Sequence, residues 1–413
     1  MKKRIVITGM GVITPVGNNV NDTWAALLEG KNGIGPITYF DVSKYETRIA
    51  GEIKNFDPNE VMEKKEVRRT PRFIQYGLKA AKEALEQSGL LNFTGLNKDR
   101  VAVLLGSGIG GINVTEEQMM VLAEKGPGRV SPFLIAMLIP NMASAFVAMK
   151  YGFRGPNFTI VTACATGTHS VGEGAKLLQR GDAEVCVCGG TEGAITPLGL
   201  AGFQAARSLS TRNDDPEHAS RPFDKDRDGF VMADGAGMVV LETLEYAQAR
   251  GAKILAEYAG YGASDDAYHM TAPAPDGGGA ILSMKNALSD AGITIDDVSY
   301  INAHGTSTEL NDKTESLAVK TLFGERAYKV PMSSTKSMTG HMLGGTGAVE
   351  AIICAMSCIN NVVHPTRNFV QGGEGCDLDY VPNTKRSVEV NYALSNSFGF
   401  GGHNGSIIIK KFR

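Results

Sequence analysis

Cys164 is a candidate nucleophile by its residue type and by its position in the sequence. It lies in the stretch "VTACATGTHS", directly after the apolar run "NFTI" and before a string of small and hydroxyl-bearing residues. This order predicts a strand-to-helix turn, which exposes a side chain beside the unpaired N–H groups of a helix N-terminus. Such a setting lowers the pKa of a thiol and favours the nucleophilic thiolate. Free cysteines are also often small buried hydrophobes, so position alone leaves both interpretations of Cys164 open.

Two histidines and a lysine stand at similar points in the second half of the chain. His304 follows the apolar run of "YINAHGTST", and Lys336 and His341 lie in "SSTKSMTGHMLGGTG", which predicts another strand-to-helix turn. In open α/β sheets, functional residues gather at the carboxyl ends of strands. We therefore expect Cys164, His304 and His341 to converge. The alternative of a metal site has no support from the spacing, since H-x-x-x-H and C-x-x-C do not occur.

The elements that would position these residues alternate along the chain. Apolar, β-branched runs such as "RIVITG", "RVAVLLG", "NFTIVTA" and "AEVCVCGG" predict strands, and "FIQYGLKAAKEALEQSG" and "THSVGEGAKLLQRG" predict helices. This alternation predicts an α/β fold in which helices cover a sheet on both faces.

The order of elements repeats in the second half. "GLKAAKEALEQSGL" followed by "RVAVLLGSG" resembles "AILSMKNALSDAGI" followed by "VSYINAHGT". "TGTHSVGEGAKLL" has a counterpart in "TGHMLGGTGAVEAII", and "GAGMVVLE" has one in "HNGSIIIKK". One such pair arises by coincidence among Ala- and Gly-rich helices, but three pairs in the same order favour duplication. The simplest account is two similar α/β halves, residues 1–250 and 251–413, packed as one body.

The composition excludes several classes of protein. The chain has 413 residues, of which 43% are hydrophobic and 21% charged, as in ordinary globular proteins. A net charge of -3 argues against a bulk affinity for nucleic acid or an anionic membrane. The basic start "MKKRIVITGMGVITPVG" is interrupted by Gly and Pro, so it predicts a strand rather than a signal peptide. We expect no membrane span. Six cysteines show no disulfide framework, which predicts a cytoplasmic protein.

Two short motifs resemble ligand-binding loops but are weak signals. "GSGIGG", residues 106–111, fits the dinucleotide pattern G-x-G-x-x-G, yet the chain before it is not a first βαβ unit. "DKDRDG", residues 224–229, starts like a calcium loop, but Gly235 stands where a bidentate Glu is required. We expect neither nucleotide nor calcium here, and "DKDRDG" is predicted to be a turn held by its own hydrogen bonds.

A cationic stretch precedes the first long helix. In "EKKEVRRTPR", helical spacing places Lys64 and Lys65 beside Arg68 and Arg69. Most such runs are solvated helix faces, but on a mildly acidic protein this one is also a candidate docking site for an acidic partner.

Four long motifs together carry a family resemblance. They are "TACATG" around Cys164, "NAHGTST" around His304, "KSMTGHMLGGTG" around His341 and "SNSFGFGGHNG" near the C-terminus. In this order they resemble the β-ketoacyl-acyl-carrier-protein synthases of the thiolase superfamily, over essentially the whole chain. The resemblance implies a five-layered αβαβα thiolase-like fold from two duplicated halves, and a homodimer.

The resemblance also implies a reaction in two stages. Cys164 takes an acyl group from acyl-carrier protein as a thioester. Malonyl-carrier protein then loses CO2, and the carbanion attacks that thioester to give a 3-oxoacyl product two carbons longer. This decarboxylative Claisen condensation elongates chains in type II fatty-acid biosynthesis; a ketosynthase of a polyketide or specialised lipid pathway stays open as the alternative. No metal or resident cofactor is implied, since the substrates carry phosphopantetheine on the carrier protein.

The resemblance assigns roles residue by residue. It implies that His304 and His341 stabilise the enolate, that Lys336 and Glu315 form a supporting charged pair with Asp312 close by, and that Phe400 gates the nucleophile and shares an oxyanion hole with it. The residues implied to bind substrate are Ile109 and Phe133 in the acyl pocket, Thr306 and Thr308 along the pantetheine arm, Asp266 and Thr271 in the second mobile loop, and Phe398. The residues implied to dock the acidic carrier protein are Lys64, Lys65, Arg68 and Arg69.

Related classes differ in their catalytic residues. A degradative thiolase would carry a second catalytic cysteine, which "FGFGGHNG" lacks, and a chalcone-synthase-like enzyme would replace one histidine by Asn. A non-catalytic partner subunit would lack Cys164. His169 and His403 stand where many relatives have a smaller polar residue, and the sequence assigns no role to either.

Overall fold

The computed structural model describes residues 2–413. The strands are β1 (Ile5–Ile13), β2 (Gly35–Pro36), β3 (Ile49–Ala50), β4 (Val101–Gly106), β5 (Val185–Glu192), β6 (Gly235–Thr243), β7 (Ala256–Asp265), β8 (Tyr300–Asn302), β9 (Met332–Ser333), β10 (Val362–Val363), β11 (Arg386–Ser387), β12 (Tyr392–Gly399) and β13 (His403–Lys410). The helices are α1 (Val20–Leu28), α2 (Lys64–Val67), α3 (Arg72–Ser88), α4 (Ile112–Lys125), α5 (Leu134–Leu138), α6 (Met142–Tyr151), α7 (Thr166–Arg180), α8 (Pro197–Ala205), α9 (Leu244–Ala249), α10 (Gly278–Ala291), α11 (Glu309–Phe323), α12 (Lys336–Thr339) and α13 (Thr346–Asn360).

The main sheet contains two halves with the same topology. Its order is β4-β5-β6-β1-β7-β13-β12-β8-β9. In the first half β4 is parallel to β5, and β5, β6 and β1 are antiparallel neighbours. In the second half β8 is parallel to β12, and β12, β13 and β7 are antiparallel neighbours. The halves meet where residues 5–7 pair with residues 256–258. The predicted duplication is confirmed; the division at residues 250 and 251 stays a prediction, and it falls between α9 and β7.

Alternate strand residues face different cores, which makes the fold five-layered. Leu104 of β4 and Ile407 of β13 pack with α7 and α13 in one buried cluster. Val103 and Leu105 pack with α3 instead, and Ile408 packs with α10 and α11. Because successive strand side chains point to opposite faces, α7 and α13 form a central layer between the two halves of the sheet. The predicted αβαβα arrangement is therefore confirmed.

A pair of glycines in each half lets the outer helix approach its strand closely. A methyl group on Gly9 or Gly11 of β1 would lie 2.0 Å from a backbone oxygen of α3. On Gly260 or Gly262 of β7 it would lie 2.4 or 2.0 Å from a backbone oxygen of α10. No side chain fits at these positions. The repeated "GMG" and "GYG" are thus a mark of the duplication that the sequence analysis missed.

The central helix α13 lies in a strongly apolar stretch of the chain. The stretch Leu343–Asn360 is long enough to cross a membrane and has a mean hydropathy of 1.3, but 89% of it is buried inside the fold. Its place between the two halves of the sheet accounts for this composition.

The strand predicted for "NFTIVTA" was wrong. Residues 157–162 run beside the edge strand β4 but share with it an isolated bridge, between Val103 and Asn157. Phe158 and Val161 are 43% and 49% exposed. Within residues 2–413 no strand lies on the side of this segment that faces away from β4. The segment therefore has no second strand partner, and its apolar side chains stay exposed.

The prediction that "DKDRDG" forms a turn held by its own hydrogen bonds is confirmed in part. The Asp224 carboxylate accepts the Asp226 N–H and the Arg221 Nε–H, each at 2.9 Å, and Arg227 donates to the Asp224 carbonyl. Other segments hold the turn as well, since the Asp224 carboxylate also accepts the N–H groups of Val370 and Gln371, and Arg227 donates to the Thr308 carbonyl.

Candidate active site

Cys164 lies in a sharp turn directly before the central helix α7. Ala163 has a φ of +49°, a left-handed conformation that costs a non-glycine residue about 1–2 kcal/mol. The other half contains the same turn, in which Leu343 has a φ of +45° directly before Gly344. Helices α7 and α13 each begin two residues further on. Cys164 and Gly344 therefore occupy equivalent positions, and the duplicated fold supplies the strained turn that presents the thiol.

One cavity of about 410 Å³ brings most of the predicted site residues together. The predicted residues that line it are Cys164, Asp266, Thr271, His304, Thr306, Thr308, His341, Phe398 and Phe400. Ile109 lies beside this group, because it packs with Cys164 and Leu343 in one apolar cluster. The hydroxyls of Thr306 and Thr308 are 2.9 Å apart.

The imidazole rings of His304 and His341 pack edge to face. The ring centroids of His304 and His341 are 5.4 Å apart at 83°. Nδ1 of His341 lies 3.2 Å from the hydroxyl of Thr346, whereas within residues 2–413 its buried Nε2 has no partner. Burial lowers the pKa of both rings well below the usual value, and the charge of Lys336 acts in the same direction. Both imidazoles are therefore neutral at pH 7, and each carries one N–H that can donate.

The predicted pairing of Lys336 with Glu315 was wrong. Lys336 Nζ donates to Glu350 Oε1 at 2.6 Å, and both side chains are buried. Glu315 is occupied elsewhere, since its two oxygens accept the backbone N–H groups of His304 and Gly305 at 2.9 and 2.8 Å. It therefore braces the loop that carries His304. Glu350 was missed, although a lone acid in the apolar helix "GAVEAII" was a usable signal.

The pKa of the Cys164 thiol shifts in the direction opposite to the one that the sequence indicated. Burial raises it to about 11, and the carboxylate of Glu192 adds to this. Lys336 and the backbone N–H groups of Phe400 and of Cys164 itself lower it, but they do not outweigh the loss of water. The expected helix-terminus effect is thus smaller than the cost of desolvating a thiolate.

A loop of glycines passes directly over Cys164. A methyl group on Gly399 would lie 3.1 Å from the Cys164 nitrogen, and Gly401 and Gly402 have φ of +88° and +80°. Asp266 ties this loop to its neighbour. Its N–H donates to the Gly402 carbonyl at 2.9 Å, and its carboxylate accepts the side-chain amide of Asn404 at 2.7 Å.

An aromatic wall that the sequence analysis missed closes the remaining side. Phe230 lies with its ring centroid 5.4 Å from that of His341, and Phe203 lies 5.4 Å from Phe230. Phe203 also contacts Phe400 at 6.3 Å. Single aromatic residues in "LAGFQ" and "DGFVM" gave no periodic signal from which this wall could have been inferred.

Several predicted residues lie away from the cavity. Phe133 is 45% exposed, and the guanidinium of Arg69 covers its ring at 5.3 Å. Lys64, Lys65 and Arg68 are exposed on the short helix α2 and at its end, and Lys65 pairs with Glu63 at 2.9 Å. The four basic residues thus form a surface separate from the reacting groups.

His169 and His403, to which the sequence assigned no role, both lie near the start of β13, the strand that follows the glycine loop. His169 of α7 has Nε2 3.2 Å from the carbonyl oxygen of Asn404, so this nitrogen donates. His403 is part-exposed, with Nδ1 3.5 Å from Asp265. Across residues 2–413, His, Cys, Asp and Glu side chains form no group of three that could hold a metal ion.

Two family models match the chain in sequence. The N-terminal domain of β-ketoacyl synthases matches residues 2–247, and the C-terminal domain matches residues 255–370. This chain belongs to the β-ketoacyl synthase family. The resemblance carried by the four motifs is thereby confirmed.

Similar proteins agree with this membership over the full length of the β-ketoacyl synthase. A 3-oxoacyl-[acyl-carrier-protein] synthase 2 of Synechocystis sp. is 53% identical over 412 residues, covering 100% of this chain and 99% of the relative. Proteins of the same name from Vibrio harveyi and Coxiella burnetii are 53% and 52% identical, each covering 99% of both chains.

Solved structures show the same fold. A β-ketoacyl synthase from Burkholderia phymatum superposes with a TM-score of 0.92 at 32% identity, covering 100% of both chains. A ketosynthase solved with its type II polyketide acyl-carrier protein gives the same TM-score and identity, again over 100% of both chains.

Proposed function

We propose that this β-ketoacyl synthase is an acyltransferase that catalyses the decarboxylative Claisen condensation of an acyl-enzyme thioester with malonyl-carrier protein, and so elongates chains in type II fatty-acid biosynthesis. The observation that carries the proposal is that one cavity is lined by Cys164, His304 and His341 together, with the Phe400 loop directly over the thiol. The relatives at 52–53% identity are named for this reaction.

In the first stage Cys164 captures the acyl group. The thiol loses its proton, the sulfur attacks the carbonyl carbon of acyl-carrier protein, and the thiol of the carrier protein leaves. The backbone N–H groups of Cys164 and Phe400 lower the pKa of the thiol, and we expect them to donate to the tetrahedral oxyanion that forms next to the sulfur. Pre-arranged N–H donors of this kind stabilise the charge that develops in the transition state. Covalent capture divides a difficult transfer into two easier steps.

In the second stage the malonyl group loses CO2, and negative charge develops on its thioester oxygen. His304 and His341 donate N–H hydrogen bonds to that oxygen, since each neutral ring carries one N–H. In the tautomer in which the Thr346 hydroxyl donates to Nδ1 of His341, the unpartnered Nε2 carries the proton and serves as the donor. The carbanion attacks the thioester carbonyl, and the Cys164 thiolate leaves as the 3-oxoacyl product forms.

Residues away from the reacting atoms position these groups. The buried pair of Lys336 and Glu350 lies next to the histidines, and Glu315 fixes the backbone of His304. Thr306 and Thr308 line the cavity where the pantetheine arm of the carrier protein would lie. Asp266 and Thr271 belong to a loop beside it, and Phe398 lines it from the end of β12. The proposed reaction uses no resident cofactor, since both thioesters arrive on the carrier protein.

The basic surface of Lys64, Lys65, Arg68 and Arg69 is the proposed docking site of the carrier protein. All four side chains are exposed. The carrier protein of the family is acidic, so the charges are complementary and would steer its approach. We also propose that the enzyme is cytoplasmic, where it would meet such a carrier protein.

We also propose a homodimer. In the part of the chain that the structure describes, no residue of helix α4 is buried, although the helix carries the large apolar side chains of Met119, Met120 and Leu122. Ile135, Phe158 and Val161 nearby in sequence are exposed as well. A second copy that paired with the segment 157–162 would supply the missing strand partner and cover these side chains. Phe133 belongs to the same exposed group, so a dimer would bring the partner's surface against this predicted acyl-pocket residue.

A degradative thiolase is less well supported, because Cys164 is the one cysteine among the residues that line the cavity. A polyketide or specialised lipid ketosynthase shares the fold, but two solved examples are 32% and 34% identical, well below the 52–53% of the fatty-acid relatives.

The experiment that tests the proposal is a condensation assay with purified protein. The wild type should convert acyl-carrier protein and malonyl-carrier protein into 3-oxoacyl-carrier protein with release of CO2, and Cys164→Ala should form no product. Thiolytic cleavage of 3-oxoacyl-CoA without condensation would contradict the proposal. A wild type that accepts polyketide intermediates but no saturated acyl chain would favour the specialised pathway.

A further inference from the structure

Glu192 is a buried carboxylate that the proposed reaction does not use. It is the last residue of β5 and is 0% exposed. Its Oε1 accepts the hydroxyl of Ser107 at 2.8 Å and the N–H of Ile109 at 3.2 Å. Its Oε2 accepts the N–H groups of Gly108 and Gly344 at 2.9 and 3.0 Å. One side chain thus binds four donors from two separate turns.

These two turns form walls beside the nucleophile. Residues 107–109 follow β4, and Gly344 precedes α13. Ile109 and Leu343, one from each turn, pack with Cys164 in the same apolar cluster. A methyl group on Gly344 would lie 2.6 Å from the nitrogen of Gly108, so the turns are almost in contact. The carboxylate therefore determines how the two walls sit relative to each other and to the thiol.

The charge of Glu192 argues against a role in activating the thiol. All four of its donors are neutral groups. Burial raises its pKa to about 7, against the effect of the four hydrogen bonds. In its ionised form it raises the pKa of Cys164, which opposes formation of the thiolate. Glu192 must therefore act through the two turns that it holds in place, residues 107–109 and the turn at Gly344.

We propose that Glu192 is a positioning residue that sets acyl-chain specificity, because its carboxylate clamps Ile109 and the Gly344 turn and so fixes the width of the acyl-binding space beside Cys164. The inference rests on the proposed condensing function and on the role in the acyl pocket that the family resemblance implies for Ile109. A Gln at this position keeps the volume but has one acceptor oxygen in place of two, and its NH2 group faces N–H donors. Part of the clamp is then lost, and the wall that bears Ile109 is released.

The test compares the full-length wild type with Glu192→Gln, Ser107→Ala and a matched control, Glu83→Gln. Glu83 also accepts two backbone N–H groups, from Val12 and Val20, but it lies on the outer helix α3. The measured quantities are kcat/KM for acyl-carrier proteins that carry short and long acyl chains, and the KM for malonyl-carrier protein. We expect Glu192→Gln to raise the long-to-short ratio of kcat/KM about tenfold at an unchanged malonyl KM. Ser107→Ala should shift the ratio in the same direction by less, and Glu83→Gln should leave it at the wild-type value.

A merely structural role would lower kcat/KM equally for all chain lengths, and that result would overturn the inference. If Glu192→Gln does not fold, Ser107→Ala carries the test, and an unchanged ratio in that variant overturns the inference. A wild type that elongates no acyl chain contradicts the proposed function and the inference together. A wild type that elongates normally, with the same ratio in Glu192→Gln as in Glu83→Gln, contradicts the inference alone.

Discussion

The ammonium of Lys336 and the carboxylate of Glu350 lie 2.6 Å apart, with side chains 1% and 0% exposed. Burial raises the pKa of Glu350 to about 7, while the lysine beside it acts in the opposite direction. A buried ion pair is retained at the cost of desolvating two charges. The pair lies next to His304 and His341, and the charge of Lys336 helps to lower the pKa of both rings. The energetic cost of burying the pair therefore serves the active site.

Breaking this pair should strongly destabilise the fold. Glu350→Ala leaves the ammonium of Lys336 buried without a partner, and we expect a loss of about 3–5 kcal/mol in the free energy of unfolding, measured by urea titration. Combining Lys336→Met with Glu350→Leu should regain most of this loss. The control is Asp377→Ala, which breaks the more exposed pair with Lys320 and should cost less than about 1 kcal/mol. Equal losses in Glu350→Ala and Asp377→Ala would contradict the expectation.

The two half-reactions should respond differently to pH. The neutral imidazole is the form present above its pKa, and burial lowers the pKa of His304 and His341 well below 6.5. Release of CO2 from malonyl-carrier protein should therefore stay constant from neutral pH down to about pH 6. Burial raises the pKa of the Cys164 thiol to about 11, so its acylation should rise up to about tenfold per pH unit through neutral pH. Each step is measured alone, by CO2 release and by intact mass of the acyl-enzyme. Decarboxylation that halves near pH 6.5, or acylation that levels off below pH 8, would contradict this assignment.

How far the site was predictable depended on where each residue stands in the chain. Cys164, His304 and His341 were found because each follows a strand-like run at a turn, and the carboxyl ends of strands converge in an α/β sheet. Glu350 could have been noticed as a lone acid in an apolar helix, but its pairing with Lys336 could not, because α12 and α13 bring the two together through tertiary packing that leaves no spacing signal. The direction of the Cys164 pKa shift was also inaccessible, since it depends on how completely the cavity excludes water. The strand in "NFTIVTA" failed for a third reason, because a strand requires a neighbour that the sequence does not specify.

The basic surface should contribute to binding of carrier-bound substrates and leave the chemistry unchanged. Combined charge reversal, Lys64→Glu with Arg68→Glu, should raise the KM for acyl-carrier protein by about 3–10-fold at low salt, and the effect should fade at high salt. Small acyl thioesters should be used as well as by the wild type. These two positions avoid Arg69, whose guanidinium packs on Phe133. Charge reversal at the remote, exposed Lys329 serves as the control. Equal effects on carrier-bound and small thioesters would contradict docking at this surface.

The exposed segment before Cys164 should be part of the interface between two copies. Val161 is 49% exposed there, and Val161→Asp places a charge where the partner's segment would pair. We expect sedimentation velocity to show a dimer for the wild type and a monomer for the variant, with loss of elongation. Val370→Asp is the matched control, because Val370 is 78% exposed but lies elsewhere. A variant that remains dimeric, or a monomeric wild type, would show that this segment is not the interface.

The central claim is that a single thiol carries the acyl group between the two stages, and the acyl-enzyme itself tests it most directly. The enzyme is mixed with acyl-carrier protein alone, and the mass of the peptide that contains Cys164 is measured before and after addition of malonyl-carrier protein. We expect this peptide to gain the mass of the acyl group, and to lose it on addition of malonyl-carrier protein as one equivalent of 3-oxoacyl-carrier protein appears. An acyl group on another residue, or an acyl-Cys164 that malonyl-carrier protein does not discharge, would contradict the account.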